Sequence, residues 1–381
     1  MLECQKHLFS LSEDVTYLNC ATMSAQMKSV EKIGIKNLLK KSNPFLIETK
    51  DFFDERELLK QRFAQLITAP DPQSIAIIPS VSYGIAIVAK NIPFAKGDEI
   101  VILGEQFPSN YYAWKELEKE KGIIIKTVKA PVIAAGRGAK WNQAVLEAIS
   151  SKTKMVSMPI VHWTDGTLFD MKAIKERTSE VEAFLVIDGT QSIGAMPFSV
   201  SEIKPDALIC AGYKWLMGSY GLGLAYFGER FYSGSPIENN WISHKGSEDF
   251  SNLVRYNEKF KPKSARFDMG ESSNFICTPM LSEAIRQLLI WGPKAIQEYC
   301  KTITENVLPL LEKNGLFIED DSFRGHHLFG IYLPNDVSIG HLKEKISNKN
   351  IFVSYRGQAI RISPNVYNTK EDIEKLISCF I

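Results

Sequence analysis

No two of the six cysteines (Cys4, Cys20, Cys210, Cys277, Cys300 and Cys379) form a CxxC pair. Zinc-ligand spacing is therefore absent, and a disulfide framework is not expected in a chain of 381 residues. No apolar run approaches the ~20 residues that cross a bilayer. The opening Met1-Leu-Glu-Cys-Gln-Lys-His7 has neither the basic stretch nor the apolar core of a signal peptide. A surplus of one charge sign is missing too: 45 Lys and Arg against 44 Asp and Glu leave a net charge of +1. No basic stripe can then dominate a polyanion interface, so neither nucleic acid nor a membrane surface is an expected partner. GxxxxGK[ST], HExxH and GxSxG are absent. Gly218-Ser-Tyr-Gly-Leu-Gly223 has the wrong glycine order for a dinucleotide turn, and the His326-His327 pair lacks metal-ligand spacing. These absences predict a cytoplasmic protein with no metal site.

What is present reads as an ordinary globular composition, 45% hydrophobic and 23% charged, in a chain too long for one core. Short apolar runs at 75–79, 99–103, 123–128, 155–161, 184–188, 207–210 and 222–227 alternate with amphipathic stretches at 82–90, 109–120, 142–150 and 171–180. Continuous Val/Ile/Leu strands alternating with helices predict an α/β fold, a mostly parallel sheet covered by helices on both faces. Around 234–263 the alternation stops. Beyond it come helical patterns at 281–290 and 296–311, short strands near 327–333 and 351–354, and a last helix at 370–380. That pattern predicts a large domain over 15–260 and a smaller α+β domain built from 1–14 and 261–381.

In open parallel sheets, ligands bind beyond the carboxyl ends of the strands. Asp188 ends the run Phe184-Leu-Val-Ile-Asp-Gly-Thr-Gln191, and Lys214 follows the next run, in Cys210-Ala-Gly-Tyr-Lys-Trp-Leu216. An aspartate there is an ordinary turn residue, or else the partner of a protonated ring nitrogen. Lys214 is a surface lysine, or else an amine desolvated between Tyr213 and Trp215, with the lowered proton affinity that imine formation requires. Pyridoxal phosphate is the cofactor that needs both, an amine for its aldehyde and an acid against its pyridine nitrogen. Gln191 is a helix-start residue or a hydrogen-bond partner of the ring's phenolic oxygen. Ser80-Val-Ser-Tyr-Gly84 opens a helix, where its hydroxyls cap the helix, hold a phosphate, or do both. Phe107 is a core residue or a ring-stacking one. Arg361, in Ala359-Ile-Arg-Ile-Ser-Pro364, makes a structural ion pair or grips a carboxylate bidentately. His162 and Trp163 end another strand and line the same region.

Taken together, these segments resemble the class V aminotransferases of the fold-type-I pyridoxal-phosphate superfamily, relatives of cysteine desulfurases, selenocysteine lyases, kynureninases and isopenicillin N epimerases. The resemblance runs from Tyr17-Leu-Asn-Cys-Ala-Thr22 to Ile360-Arg-Ile-Ser-Pro-Asn-Val-Tyr-Asn-Thr-Lys-Glu-Asp372. It implies Lys214 as the cofactor-bearing lysine, Asp188 as the pyridinium partner, and Gln191 facing the phenolic oxygen. It implies Val81, Ser82 and Tyr213 around the phosphate, Phe107 and Trp163 against the ring, and Arg361 on the α-carboxylate. Asn19 to Thr22, with Ala21 and Thr22 foremost, fall at the substrate mouth. Thr278 falls where a residue crosses to a neighbouring subunit's phosphate, implying a homodimer with shared sites. Desulfurases differ in carrying a histidine at the places of Phe107 and Tyr213, and a persulfide-forming cysteine just before the clamp arginine. The stretch 351–361 has no cysteine, and serine cannot replace a thiolate in sulfur transfer. The function expected is an amino-acid-processing pyridoxal-phosphate enzyme, most simply an aminotransferase on an amino-acid/keto-acid pair. An epimerase or β-lyase is the alternative, and a catalytically idle scaffold of the same fold is a third.

Overall fold

The computed structural model describes residues 2–334 and 339–380. After the short strand β1 (Thr16–Tyr17), seven strands form the main sheet: β2 (Ile75–Ile78), β3 (Glu99–Leu103), β4 (Ile124–Val128), β5 (Thr153–Pro159), β6 (Phe184–Asp188), β7 (Ala207–Ala211) and β8 (Gly223–Phe227). Their order is β2-β8-β7-β6-β5-β3-β4, with β8 antiparallel to both neighbours and the other adjacent pairs parallel. This is the expected α/β architecture, with the pyridoxal-phosphate fold-type-I layout. Successive residues of each central strand enter opposite cores: Leu185 and Ile187 pack in one, Phe184 and Val186 in the other. Both faces are covered, which is why these strands carry unbroken apolar runs instead of alternation.

The helices Val81–Asn91, Tyr112–Lys121, Arg137–Ala148 and Met171–Glu180 cover the sheet. The third starts five residues before the expected 142. There Gly136 takes the left-handed region (φ 73°) and Arg137 is drawn inward onto Asp165 (2.9 Å) and Glu319 (3.1 Å). Two helices that the sequence patterns did not reveal, Lys28–Lys40 and Asp54–Leu66, pack on Cys277–Trp291. The second carries Arg56 and Lys60 to Asp268, whose Oδ2 accepts from both at 2.6 Å. Asp268 Oδ1 accepts from the Ile77 amide (2.7 Å), and the Met269 amide donates to the Ile77 carbonyl (2.9 Å). The exposed edge of β2 is thereby capped, which fixes the strand that leads into Ser80.

A third core lies around the small antiparallel sheet, ordered β11-β12-β9, formed by β9 (Phe329–Tyr332), β11 (Ser354–Arg356) and β12 (Ala359–Ile362). The short β10 (Ile351–Phe352) pairs in parallel with β1, tying the N-terminal segment to this unit. The helix expected over 296–311 is two, Pro293–Thr304 and Leu308–Lys313. Pro309 has no N–H for an interior helix bond and fits only in the first turn of the second helix. The helix Cys277–Trp291 falls in the 261–381 part of the chain, yet Leu281, Ala284, Ile285 and Leu288 lie in a core shared with the main sheet. Among the described residues, no helix is long and apolar enough to cross a membrane.

Candidate active site

The carboxyl ends of β2, β5, β6 and β7, with the loop after β3, converge on one cavity of about 250 Å³. Its lining includes Val81, Ser82, Phe107, Trp163, Asp188, Gln191, Tyr213 and Lys214, eight of the residues anticipated from sequence. At one end, Ser80 caps the helix Val81–Asn91, its Oγ accepting from the Tyr83 amide (3.2 Å) and lying 2.8 Å from Ser82 Oγ. No acidic residue sits in that first turn. Free amides and two hydroxyls at a helix start make a fit place for a phosphate.

Asp188, at the end of β6, is half-buried, and both its oxygens are held. Oδ1 accepts from the Thr190 amide (2.9 Å) and Oδ2 from Asn110 Nδ2 (2.5 Å). Asn110 is itself buried, with its Oδ1 unpartnered among the described residues. Two donors on the carboxylate fix its orientation, as a pyridinium partner requires. Asn110 was missed in the sequence because nothing marks it there. It lies 78 positions before Asp188 and meets it only through the neighbouring order β6-β5-β3.

Lys214 follows β7 through Gly212, where a Cβ would stand 2.6 Å from the Leu222 carbonyl oxygen, so the loop turns tightly there. The side chain is only 7% exposed. Its amine lies 5.4 Å from the centre of the Phe107 ring and 5.6 Å from that of Tyr213. Burial pulls its pKa down to about 8, Arg361 and Arg356 push the same way, and Asp188 opposes. Near neutral pH the amine is still mostly charged, but a far larger fraction of it is free base than for an ordinary lysine.

A second group adjoins the cavity beyond Gln191 and Trp163. Gln191 is fixed from three sides. Its Nε2 donates to the Ala21 carbonyl (3.0 Å), its Oε1 accepts from Trp215 Nε1 (2.9 Å), and its own carbonyl accepts from His327 Nε2 (2.7 Å). Burial holds His327 down to about 4, so the ring stays neutral and Nε2 carries the proton. One N–H of the Gln191 amide is left for a cavity ligand. Arg361, on β12, is 1% exposed and does not line the cavity. Its Nη2 donates to Thr22 Oγ1 (2.6 Å), Nη1 to the Trp163 carbonyl (2.8 Å) and Nε to Ser354 Oγ (3.0 Å). Burial, then the neighbouring Arg356, pull its pKa down to about 9. Trp163 gives its indole N–H to the Glu105 carbonyl (2.7 Å) and sets its ring edge-on to Phe107 at 5.3 Å.

Thr278 is not brought to this site. It is fully buried near the start of the helix Cys277–Trp291, and its hydroxyl donates to the Ser272 carbonyl (2.9 Å). The role the resemblance implied for it concerns a neighbouring subunit's phosphate, not this single-chain cavity. His162 is a structural residue, with Nδ1 2.7 Å from Thr164 Oγ1 and Nε2 3.2 Å from the Gly104 carbonyl oxygen.

A buried amine of lowered basicity, a positioned carboxylate, an aromatic face and a hydroxyl-lined helix start together fit one ring-shaped cofactor carrying an aldehyde and a phosphate. The profile of the aminotransferase class-V family matches residues 48–376. The chain belongs to that family of pyridoxal-phosphate-dependent enzymes. Among curated relatives, an uncharacterized aminotransferase of Bacillus subtilis, YcbU, is 25% identical over 86% of this chain and 84% of its own. A probable cysteine desulfurase of Methanothermobacter thermautotrophicus is 30% identical (83% and 80%), and the isopenicillin N epimerase of Streptomyces clavuligerus 22% (83% and 81%). Of solved structures, the apo cysteine desulfurase of Thermococcus onnurineus NA1 superposes with a TM-score of 0.84 at 18% identity, covering 100% of this chain and 98% of that one. A C-DES variant with glycine covalently linked to its PLP cofactor also gives 0.84 at 18%, covering 98% of each chain.

Proposed function

We propose that this chain is a pyridoxal-5′-phosphate enzyme acting on an amino acid, and in the first instance an aminotransferase. The observation that carries the reading is Lys214, a buried amine of depressed basicity sharing one cavity with the held carboxylate of Asp188. When bound, the cofactor supplies an aldehyde for amines and a ring that accepts electrons. Ser80, Val81 and Ser82 would hold its phosphate, Phe107 would cover one face, and Asp188 would meet the ring nitrogen. Tyr213 lines the same cavity, and Gln191 would turn its spare N–H toward the ring's oxygen. Lys214 would carry the cofactor through its aldehyde and, once freed, would serve as general base for the substrate's α-proton. Arg361, with Thr22 and Ala21 beside it, would receive the α-carboxylate. The test is to give the yellow purified protein a panel of amino acids with a keto-acid acceptor, following the cofactor's absorbance and the keto-acid product. An unchanged spectrum with every amine and no product would sink the reading. Lys214→Ala abolishes both colour and turnover on this reading; unchanged behaviour would favour the idle-scaffold alternative.

The similarity to an epimerase over most of the chain supports a second reading, epimerisation or β-elimination from the same α-proton removal. Deuterium wash-in with racemisation, or eliminated product without amine transfer, identifies it. Desulfurase chemistry through a protein persulfide is not proposed, because none of the six cysteines lines the cavity and 351–361 contains none. We also propose a homodimer. Tyr256 (95% exposed), Val254, Phe45 and Leu46 stand in solvent on one chain, an apolar display that a second copy would cover.

A further inference from the structure

Arg356 closes the β11 side of the hairpin that carries Arg361, paired across it with Ala359. Its guanidinium lies 5.6 Å from the centre of the Trp163 ring, against a residue that lines the cavity. Its Nη2 is 3.4 Å from Thr22 Oγ1, the hydroxyl that takes Arg361 Nη2 at 2.6 Å. The two Nη2 atoms are therefore no more than about 6 Å apart. Arg356 Nη1 donates to the Tyr355 carbonyl (2.8 Å), while Nε is buried without a partner among the described residues. Among the described residues, no carboxylate oxygen lies within 4.0 Å of either guanidinium.

Two cations held side by side, Arg361 fully buried and Arg356 half-buried, repel each other, and each lacks the anion its fork is shaped for. A guanidinium has five N–H donors. Arg361 uses three of them internally, which leaves one on each Nη, enough for a single carboxylate. The unpartnered Nε and remaining N–H groups of Arg356 are then left over for a second one. With Lys214 in the adjoining cavity there are three cationic groups, while Asp188 is the one carboxylate among the described residues that line it.

We propose that Arg356 is the specificity-determining residue of this site and that it selects amino acids with an acidic side chain. The α-carboxylate goes to Arg361 and the distal carboxylate to Arg356. The short separation of the two forks suits a four- or five-carbon diacid. Thr22, hydrogen-bonded to both forks, keeps them in register. This assignment rests on the reading of the cavity as one that processes amino acids at Lys214.

The experiment compares pairs of equal size that differ in one charge, L-aspartate with L-asparagine and L-glutamate with L-glutamine, on the cofactor-loaded enzyme. The wild type is expected to favour the acid over its amide by about tenfold to a hundredfold in kcat/KM, the range for one charge-assisted hydrogen bond. That ratio falls to about one in Arg356→Gln and is kept in Arg356→Lys, which retains the charge. Calorimetry with succinate and its half-amide succinamate gives a readout without turnover: succinate binds more tightly to wild type, and Arg356→Gln binds both alike. Absence of any acid preference in the wild type overturns the proposal. So does an Arg356→Gln variant that weakens acid and amide equally, because Arg356 would then share the α-carboxylate with Arg361. Neutral amino acids turned over without acid preference sink the subsite and leave the catalytic reading standing. Succinate discrimination without reaction of any amino acid supports the subsite and sinks the catalytic reading.

Discussion

Lys214→Met keeps most of the side-chain volume and removes the buried charge, which makes it a sensitive test of the site's electrostatics. The pKa of Lys214 falls from an ordinary 10.5 to about 8, chiefly through burial, with Arg361 and Arg356 adding and Asp188 opposing. At 1.36 kcal/mol per tenfold change, holding the charged amine in the fold costs about 3 kcal/mol. The unfolded chain takes up this proton near 10.5 and the folded chain only near 8. Between those values the unfolded state binds more protons, so wild-type stability rises with pH across the window. Below pH 8 the penalty acts in full, and above about 10.5 it has vanished. The cofactor-free Met variant should therefore be about 3 kcal/mol more stable than wild type at pH 7, with the gap closing toward pH 10.5. Urea unfolding of both proteins, stripped of cofactor with hydroxylamine and measured from pH 7 to pH 10.5, reads this directly. A variant no more stable than wild type at pH 7, or a gap that ignores pH, would refute the assignment of Lys214 as a strained, partly neutralised amine.

Asn110→Ala removes one of the two donors on Asp188. It should lower stability by about 1–2 kcal/mol and weaken cofactor retention roughly tenfold, as spectrophotometric titration would show; unchanged retention would count against a positioning role. Asp165 is held well below the usual carboxylate range: burial pushes it up, but His162 and Arg137 outweigh that. Asp165→Asn leaves Arg137 facing only Glu319 and should cost about 3–5 kcal/mol in urea unfolding at neutral pH. Because a depressed carboxylate stabilises above its unfolded value and loses that as pH falls, wild type and variant should converge in acid. Thiol titration of the native protein should find at most Cys4 and Cys277 reacting fast. The other four cysteines are buried, and burial pushes the Cys20 thiol up to about 12; a fast third thiol would contradict the packing.

The strands and the strand ends were legible in the chain itself. A run such as Phe184–Asp188 has to be covered on both faces, and its abrupt polar ending places Asp188 at the ligand-binding rim. The same logic located Lys214, Phe107 and Ser82, all of which follow a strand and all of which line the cavity. Local pattern could not show which strand ends become neighbours. Asn110 reaches Asp188, and Arg356 reaches Thr22, across 78 and 334 positions. The bond from the Thr278 hydroxyl to the Ser272 carbonyl is likewise set by packing and not by local pattern. The helices Lys28–Lys40 and Asp54–Leu66 bury their faces on Cys277–Trp291, more than 200 residues away in sequence, so their own composition gave weak notice of them. Side-chain chemistry and hydrophobic period are written in the sequence; which donor meets which acceptor depends on the order β2-β8-β7-β6-β5-β3-β4, and only the assembled sheet decides that.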